Sequence, residues 1–262
     1  SKGDNMKITN LQIQQNIQSA KRINKSSANP LIIADWVRDK KDLQMVQKLR
    51  YKIFKKEMGA NIKGSLDKDI LDDYCEHLII KDAINNQPVG TYRILTPYKA
   101  KEYGSLYTES EFNIGSLASI KNEMIELGRA CIDKKYRTGG VIMMLWAEIA
   151  KFMVTNKFRY LIGCSSVSVK DGGFNAANLY NQLKSHKQFL DLDDVYPLHP
   201  LPVENLCNDE KGNIPPLLNG YIRLGAKIIG KPAWDPEFQT ADFLTLLDLE
   251  NLPSKYKAHF LK

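Results

Sequence analysis

The sequence lacks any cysteine pair spaced as a redox or metal motif. Cys75, Cys131, Cys164 and Cys207 are far apart, with no C-x-x-C, so reduced thiols are expected rather than a disulfide frame. His77, His186, His199 and His259 are equally dispersed, no zinc spacing can be assembled from them, and no metal is expected. No apolar run is long enough to cross a bilayer, and no charged-then-apolar leader opens the chain. The expectation is a cytoplasmic location, with room for peripheral contact at the inner face of an anionic membrane. Arg-rich helices and aromatic-basic strand motifs are also missing, which argues against nucleic acid as a partner despite a formal net charge of +7. That charge suits an acidic protein or an anionic surface.

What is present suits a globular protein with an ample core: 262 residues, 43% hydrophobic. Ser1 to Asn5 precede the first methionine and read as a cloning remnant. Residues 1–30 are polar and are expected to be a mobile arm, with a docking helix or weak membrane anchor as alternatives. Residues 31–262 are expected to form a single domain, with a C-terminal extension from about residue 190.

The most informative stretch runs from Glu123 to Val167. Its alternation predicts a strand with Ile125, Leu127, Arg129 and Cys131 on one face and Glu126, Gly128, Ala130 and Ile132 on the other. Ile142, Leu145, Trp146, Ile149, Phe152 and Met153 then recur at helical spacing, with Val141, Met143, Met144 and Val154 between them. This predicts a core helix covered on several sides. Between strand and helix lies Lys134-Lys135-Tyr136-Arg137-Thr138-Gly139-Gly140, where glycines at a helix N-terminus leave amides open to an anion and the bases add positive charge. An ordinary glycine-containing turn is the alternative.

Around this centre the pattern predicts an opening strand at Leu31–Ala34 and a helix from Asp42 carrying Leu43, Val46, Leu49, Ile53, Phe54 and Met58, stopped by Gly59. A hairpin follows at residues 77–80 and 89–95, turning at Asn85-Asn86. The acidic loop 67–74 reads as solvated surface or as an attraction for a cationic amine. Tyr107–Ala118 is expected to be a short helix, and Asn175 opens another. Residues 196–216 are proline-rich and read as a lid. Residues 220–230 read as a bent strand or strand pair, with Arg223 either a carboxylate or phosphate clamp or a surface charge. Phe243–Leu247 is a last strand, and the basic tail with Tyr256, Phe260 and Leu261 has the makings of a membrane-surface segment.

The strand, the Arg137-x-x-Gly140 turn, the helix and the next strand resemble the acyl-carrier-binding segment of the GNAT superfamily of N-acyltransferases. ELGRACIDKKYRTGGVIMMLW, FRYLIGCSSV and PPLLNGYIRLGAKIIGKPAWDPEFQTADFLTLL are similar to the ornithine-acyl-carrier-protein N-acyltransferases, bacterial enzymes that make lyso-ornithine lipid and are often labelled hemolysins. The likeness runs from about Leu43 to Phe260. It implies an α/β (α+β) fold with a mixed, mostly antiparallel sheet flanked by helices, and no permanently bound cofactor. It further implies a donor carried as phosphopantetheine on acyl carrier protein, or as acyl-coenzyme A, and an amino-acid acceptor.

By the same resemblance, the donor would lie along Ala130, Cys131 and Ile132 and on the turn Arg137, Thr138, Gly139 and Gly140. Ile142 stands where the superfamily turn has glycine or alanine, a departure that suits a carrier's single phosphate at least as well as a coenzyme A pyrophosphate. Glu126 would be the catalytic base, with an ion pair to Arg129 or Arg93 as the alternative. Tyr180 would protonate the departing thiolate, or simply pack. Arg50, Phe54, Asp73, Arg129 and Arg223 would contact the acyl or amine substrate. The expected reaction moves a long-chain, 3-hydroxylated acyl group from carrier protein to the α-amino group of an amino acid such as ornithine or glycine. The rivals are a coenzyme A-dependent small-molecule acetyltransferase and an acyl-homoserine-lactone-type synthase. A non-enzymatic hemolysin finds no support, since no long amphipathic pore-forming segment is visible.

Overall fold

The computed structural model describes residues 31–137 and 139–261; the expected arm over residues 1–30 and Thr138 lie outside the described residues. The main sheet runs β1 (Ile32–Trp36), β2 (Glu76–Asp82), β3 (Pro88–Leu95), β5 (Met124–Ile132), β6 (Tyr160–Ser168), β10 (Thr240–Asp248), β9 (Lys227–Asp235), β7 (Phe189–Leu190). Its neighbours are antiparallel except for β5 with β6 and β7 with β9. A separate short pair joins β4 (Phe112–Asn113) to β8 (Tyr196–Pro197). The mixed, mostly antiparallel architecture is the expected one.

The predicted core helix is α3 (Gly139–Thr155), coming after α1 (Lys40–Tyr51) and α2 (Pro97–Tyr103). Val141, Leu145, Trp146, Ile149 and Met153 are buried against Leu78, Ile80, Ile94, Ile125, Leu127 and Leu161 of the sheet. The residues of β5 that alternate with these, Met124 and Glu126, face the other side, where Met124 packs with Ile162 and Leu244. On that side lie α2 and the turns holding Leu71, Leu106, Ile114 and Leu117, whereas α4 (Phe174–Leu183) and the segment holding the short α5 (Val203–Leu206) pack on Val167, Ala241 and Phe243, on the same face as α3.

Three expectations are corrected. Residues 216–223 are helix α6 (Pro216–Arg223), not strand. Pro216 occupies its first turn, and Gly225 at φ 83° follows its end, with Ala226 N bonded to Tyr221 O and Gly225 N to Ile222 O. That is a Schellman stop, which strand-length counting overlooks. Tyr107–Ala118 is not one helix but two 3-10 turns flanking β4. The tail forms α7 (Ser254–Phe260), with Tyr256 and Phe260 buried against the core helix; its aromatic residues are already packed and are not free to enter a membrane. None of the described helices is long and apolar enough to cross one.

The feature that makes a site is a seam. β5 and β6 are paired only from Met124↔Tyr160 to Leu127↔Gly163. Beyond that point β5 continues on β3 as far as Ile132, while β6 continues on β10 as far as Ser168. The two half-sheets part, and a cavity opens between them.

Candidate active site

The cavity has a volume of about 380 Å³, within the ~300–1,000 Å³ usual for small-molecule sites. Its walls are residues 126–132 of β5, Cys164, Ser165, Ser166 and Ser168 of β6, Tyr107 and Thr108, Thr240 and Asp242 of β10, and Tyr221 of α6. Ile53, Phe54, Met58, Leu71, Leu95, Leu217 and Leu218 add apolar surface, and Glu57, Arg93, Arg137 and Asp235 add charged groups.

Glu126 is in this wall at 4% exposure. Oε1 accepts from Tyr107 N at 2.8 Å, and Oε2 accepts from Thr108 N at 2.8 Å and Thr108 Oγ1 at 2.6 Å. Burial raises its pKa above the ordinary carboxylate value, and the Thr108 and Tyr107 hydrogen bonds oppose the rise. A carboxylate offers about four lone-pair positions, so one remains for a proton. Neither Arg93 nor Arg129 forms the ion pair with Glu126 that the sequence left open.

Arg129 changes face. Thr91 pairs with Cys131 and Arg93 with Gly128, leaving Tyr92 opposite both Arg129 and Ala130. This β-bulge puts Arg129 at φ 50° and resets the alternation. Arg129 and Cys131 therefore join the face of Glu126, and Ala130 and Ile132 take the core-helix side. Strict alternation had placed them the other way round. The Arg129 guanidinium lies 4.2 Å from the Phe238 ring centroid and 5.4 Å from that of Tyr107, a geometry that fixes its direction.

Behind it stands a buried lattice of three arginines and three aspartates. Arg50 donates to Asp67 at 2.8 Å and to Asp72 at 2.8 and 3.2 Å. Arg93 donates to Asp72 at 2.8 Å and to Asp69 at 2.6 and 3.1 Å. Arg129 donates to Asp67 at 3.2 Å and to Asp69 at 3.4 Å. Burial works to raise Asp72's pKa, but Arg50 and Arg93 together hold it well below the usual carboxylate range. Arg50, at 1% exposure, does not line the cavity. It reaches the site through Asp67, which also holds Arg129, and through Asp72, which also holds the cavity-lining Arg93.

Of the remaining candidates, Phe54, Ala130, Cys131, Ile132 and Arg137 all line the cavity. Arg137 donates to Ile132 O at 2.9 Å and pairs with Glu57 at 2.5 Å. Gly139 begins α3, and nothing lies within 4 Å of a Cβ built on Gly140. Asp73, Arg223 and Tyr180 are elsewhere. Asp73 is exposed on an acidic turn whose other members, Asp67, Asp69 and Asp72, do the pairing. Arg223 is exposed at the last turn of α6. Tyr180 packs edge-on against Phe189, 6.0 Å between centroids, outside the cavity wall. Two other tyrosines line the cavity: Tyr107, whose ring lies under the Arg129 guanidinium, and Tyr221, 5% exposed, its hydroxyl at the Leu127–Gly163 seam. Recognising the proline-started, glycine-stopped helix 216–223 would have found Tyr221. The thiols of Cys131 and Cys164 are pushed up by burial, so thiolate chemistry is disfavoured at both.

A family model described as an acetyltransferase (GNAT) domain matches residues 49–147. The chain is 30% identical over 242 residues to an L-ornithine N(alpha)-acyltransferase of Agrobacterium fabrum (strain C58), with 85% of this chain and 83% of that protein covered. A protein of the same name from Rhizobium meliloti (strain 1021) is 28% identical over 238 residues, covering 84% and 80%. Among solved structures, the AHL synthase LasI superposes with a TM-score of 0.51 at 13% identity, over 88% of this chain and 95% of that one, a likeness of fold.

Proposed function

Because the chain belongs to the L-ornithine N(alpha)-acyltransferase family, and is thus an acyltransferase forming an amide on an amino acid, we propose that it moves a long-chain, 3-hydroxylated acyl group from the phosphopantetheine of acyl carrier protein to the α-amino group of ornithine. The observation that carries this reading is the parted β5–β6 seam: a cavity with a buried carboxylate and a fixed guanidinium on β5 and a buried phenol on α6.

In this reading the acyl thioester enters between the half-sheets, with its phosphate toward Arg137 and the glycine turn at the start of α3. The sulfur and carbonyl lie along residues 128–132, whose edge is released from the β6 ladder, so that backbone amides polarise the carbonyl. Arg129 receives the acceptor's carboxylate, for which a guanidinium offers a two-pronged fit. The α-amine attacks the carbonyl carbon and gives its proton to Glu126 on the free lone pair. The C–S bond breaks as the tetrahedral intermediate collapses, and Tyr221 donates a proton to the departing thiolate. The apolar side chains from the α1 end and from α6 take the acyl chain. Residues 31–262 act as one domain.

The test is to incubate the purified protein with 3-hydroxypalmitoyl carrier protein and a panel of amino acids, and to read N-acylated products by mass spectrometry. A dominant acyl-ornithine supports the proposal. Transfer from acyl-coenzyme A, with none from the carrier-bound thioester, would refute the donor assignment.

A further inference from the structure

The arginine–aspartate lattice is balanced, three charges against three. A second acidic group in the molecule is not. Carboxylate oxygens of Glu111, Asp235 and Asp242 all lie within 4.8 Å of one another. No lysine, arginine or histidine forms a salt bridge with any of the three among the described residues. Asp242 is 3% exposed and is held by hydroxyl donors at its Oδ1, Ser166 at 2.8 Å and Thr240 at 2.9 Å. Glu111 Oε2 is sealed from solvent and has no hydrogen-bond partner. Buried carboxylates left without a counter-charge are costly, and burial beside Asp242 drives the Glu111 pKa upward. Asp235 and Asp242 belong to the wall of the cavity described above, so the missing positive charge can come from a molecule bound there.

The placement suits one chemistry. Asp242 is bonded to Ser166, and Glu126 meets the same face of β6 through Thr108 and Cys164, so the proton acceptor and the acidic cluster share one cavity. A 2,5-diamino acid brings one amine to react and a second to pair. We propose that Asp235 and Asp242, backed by Glu111, seat the side-chain ammonium of the acceptor, so that the enzyme selects diamino acids over neutral ones. The inference rests on the N-acylation reading, and goes beyond it by assigning the residues that choose the amino acid.

The test compares ornithine with norvaline, the same skeleton without the terminal amine, as acceptors at saturating acyl carrier-protein thioester, for the wild type and Asp242→Asn. The expected result is a kcat/KM at least tenfold higher for ornithine in the wild type, and a ratio that falls at least tenfold in Asp242→Asn, mainly through KM. Asp235→Asn should repeat the fall, which guards against a folding defect in one variant. Equal use of ornithine and norvaline by the wild type would overturn the seat while leaving N-acylation standing. An unchanged ratio in both variants would do the same. If neither acceptor is acylated, both the reading and the seat fall. Calcium or magnesium bound at micromolar concentration by the wild type, and lost in Asp242→Asn with the ratio unchanged, would make the cluster a metal site and overturn the proposal.

Discussion

Replacing Asp72 by asparagine should expose how much of the fold hangs on the arginine–aspartate lattice. The side chain is nearly isosteric, so packing is kept and one negative charge is lost. Asp72 takes hydrogen bonds from Gln47 at 3.0 Å, from Arg50 at 2.8 and 3.2 Å, and from Arg93 at 2.8 Å. Without its charge the lattice holds three guanidinium groups against two carboxylates, and Arg50, at 1% exposure and away from the cavity, has no route to water. Removing one partner of a buried pair costs ~3–5 kcal/mol. At ~2–4 °C per kcal/mol for a chain of this size, that is a fall of ~6–20 °C in melting temperature. Calorimetry and urea unfolding would measure it. A fall under ~2 °C would refute the claim that these charges depend on one another. A second arm makes the test sharper: Arg50→Met together with Asp72→Asn restores two charges of each sign, so the double variant should lose clearly less than the sum of the singles. The pH dependence follows from the same residue. Its folded pKa lies below the unfolded value, so its stabilisation is present above the ordinary ~3.9 and is lost as pH falls toward the folded pKa. The variant should lack that part of the acid limb.

Further outcomes follow from the site. Glu126→Gln, if folded, should lower the amide-forming rate by ~10²–10⁴; activity within a few-fold of wild type would remove it as proton acceptor. Tyr221→Phe should lower kcat with KM nearly unchanged, and Tyr180→Phe should leave both alone; equal effects would undo the distinction drawn between the two tyrosines. Arg137→Ala should raise the donor KM more than it lowers kcat, measured with carrier-bound thioester. Glu111→Gln should make the unliganded protein more stable at pH 8. The buried acid holds a proton that the unfolded chain releases, so wild-type stability declines as pH rises above the ordinary carboxylate value, by up to ~1.4 kcal/mol per unit. Urea midpoints at pH 6 and 8 that fall in parallel for both proteins would contradict this.

Periodicity carried most of the architecture. The 2-residue alternation of β5 as far as Leu127, the 3.6-residue repeat of α3 and the Asn85-Asn86 turn with Asn86 at φ 60° are local signals, and the fold keeps them. What escaped was non-local or depended on one irregular residue. The bulge at Arg129 overturned a face assignment that alternation makes by rule, because strand patterns do not announce an extra residue. The acidic loop drew attention to Asp73, whereas the turn of its 3-10 helix sends Leu71 and Asp72 inward. Motif likeness points to Tyr180, while Tyr221 lies in a short helix whose residues also fit a strand pattern. Asp235 and Asp242 share the β9–β10 hairpin, but Glu111 joins them from a distant turn, and that meeting is a property of chain tracing that spacing along the sequence does not contain.

The seam also bears on how the chain assembles. The β2–β3 and β9–β10 hairpins join neighbours in sequence and can form early, whereas the parallel β5–β6 register needs α3 to cross over and pack before four residue pairs can lock. The cavity exists only once that late closure has occurred. A partly folded chain can therefore show nearly full secondary structure while having no place to bring acyl donor and amine together, and loss of catalysis will precede loss of far-ultraviolet signal whenever the seam is the first part to open.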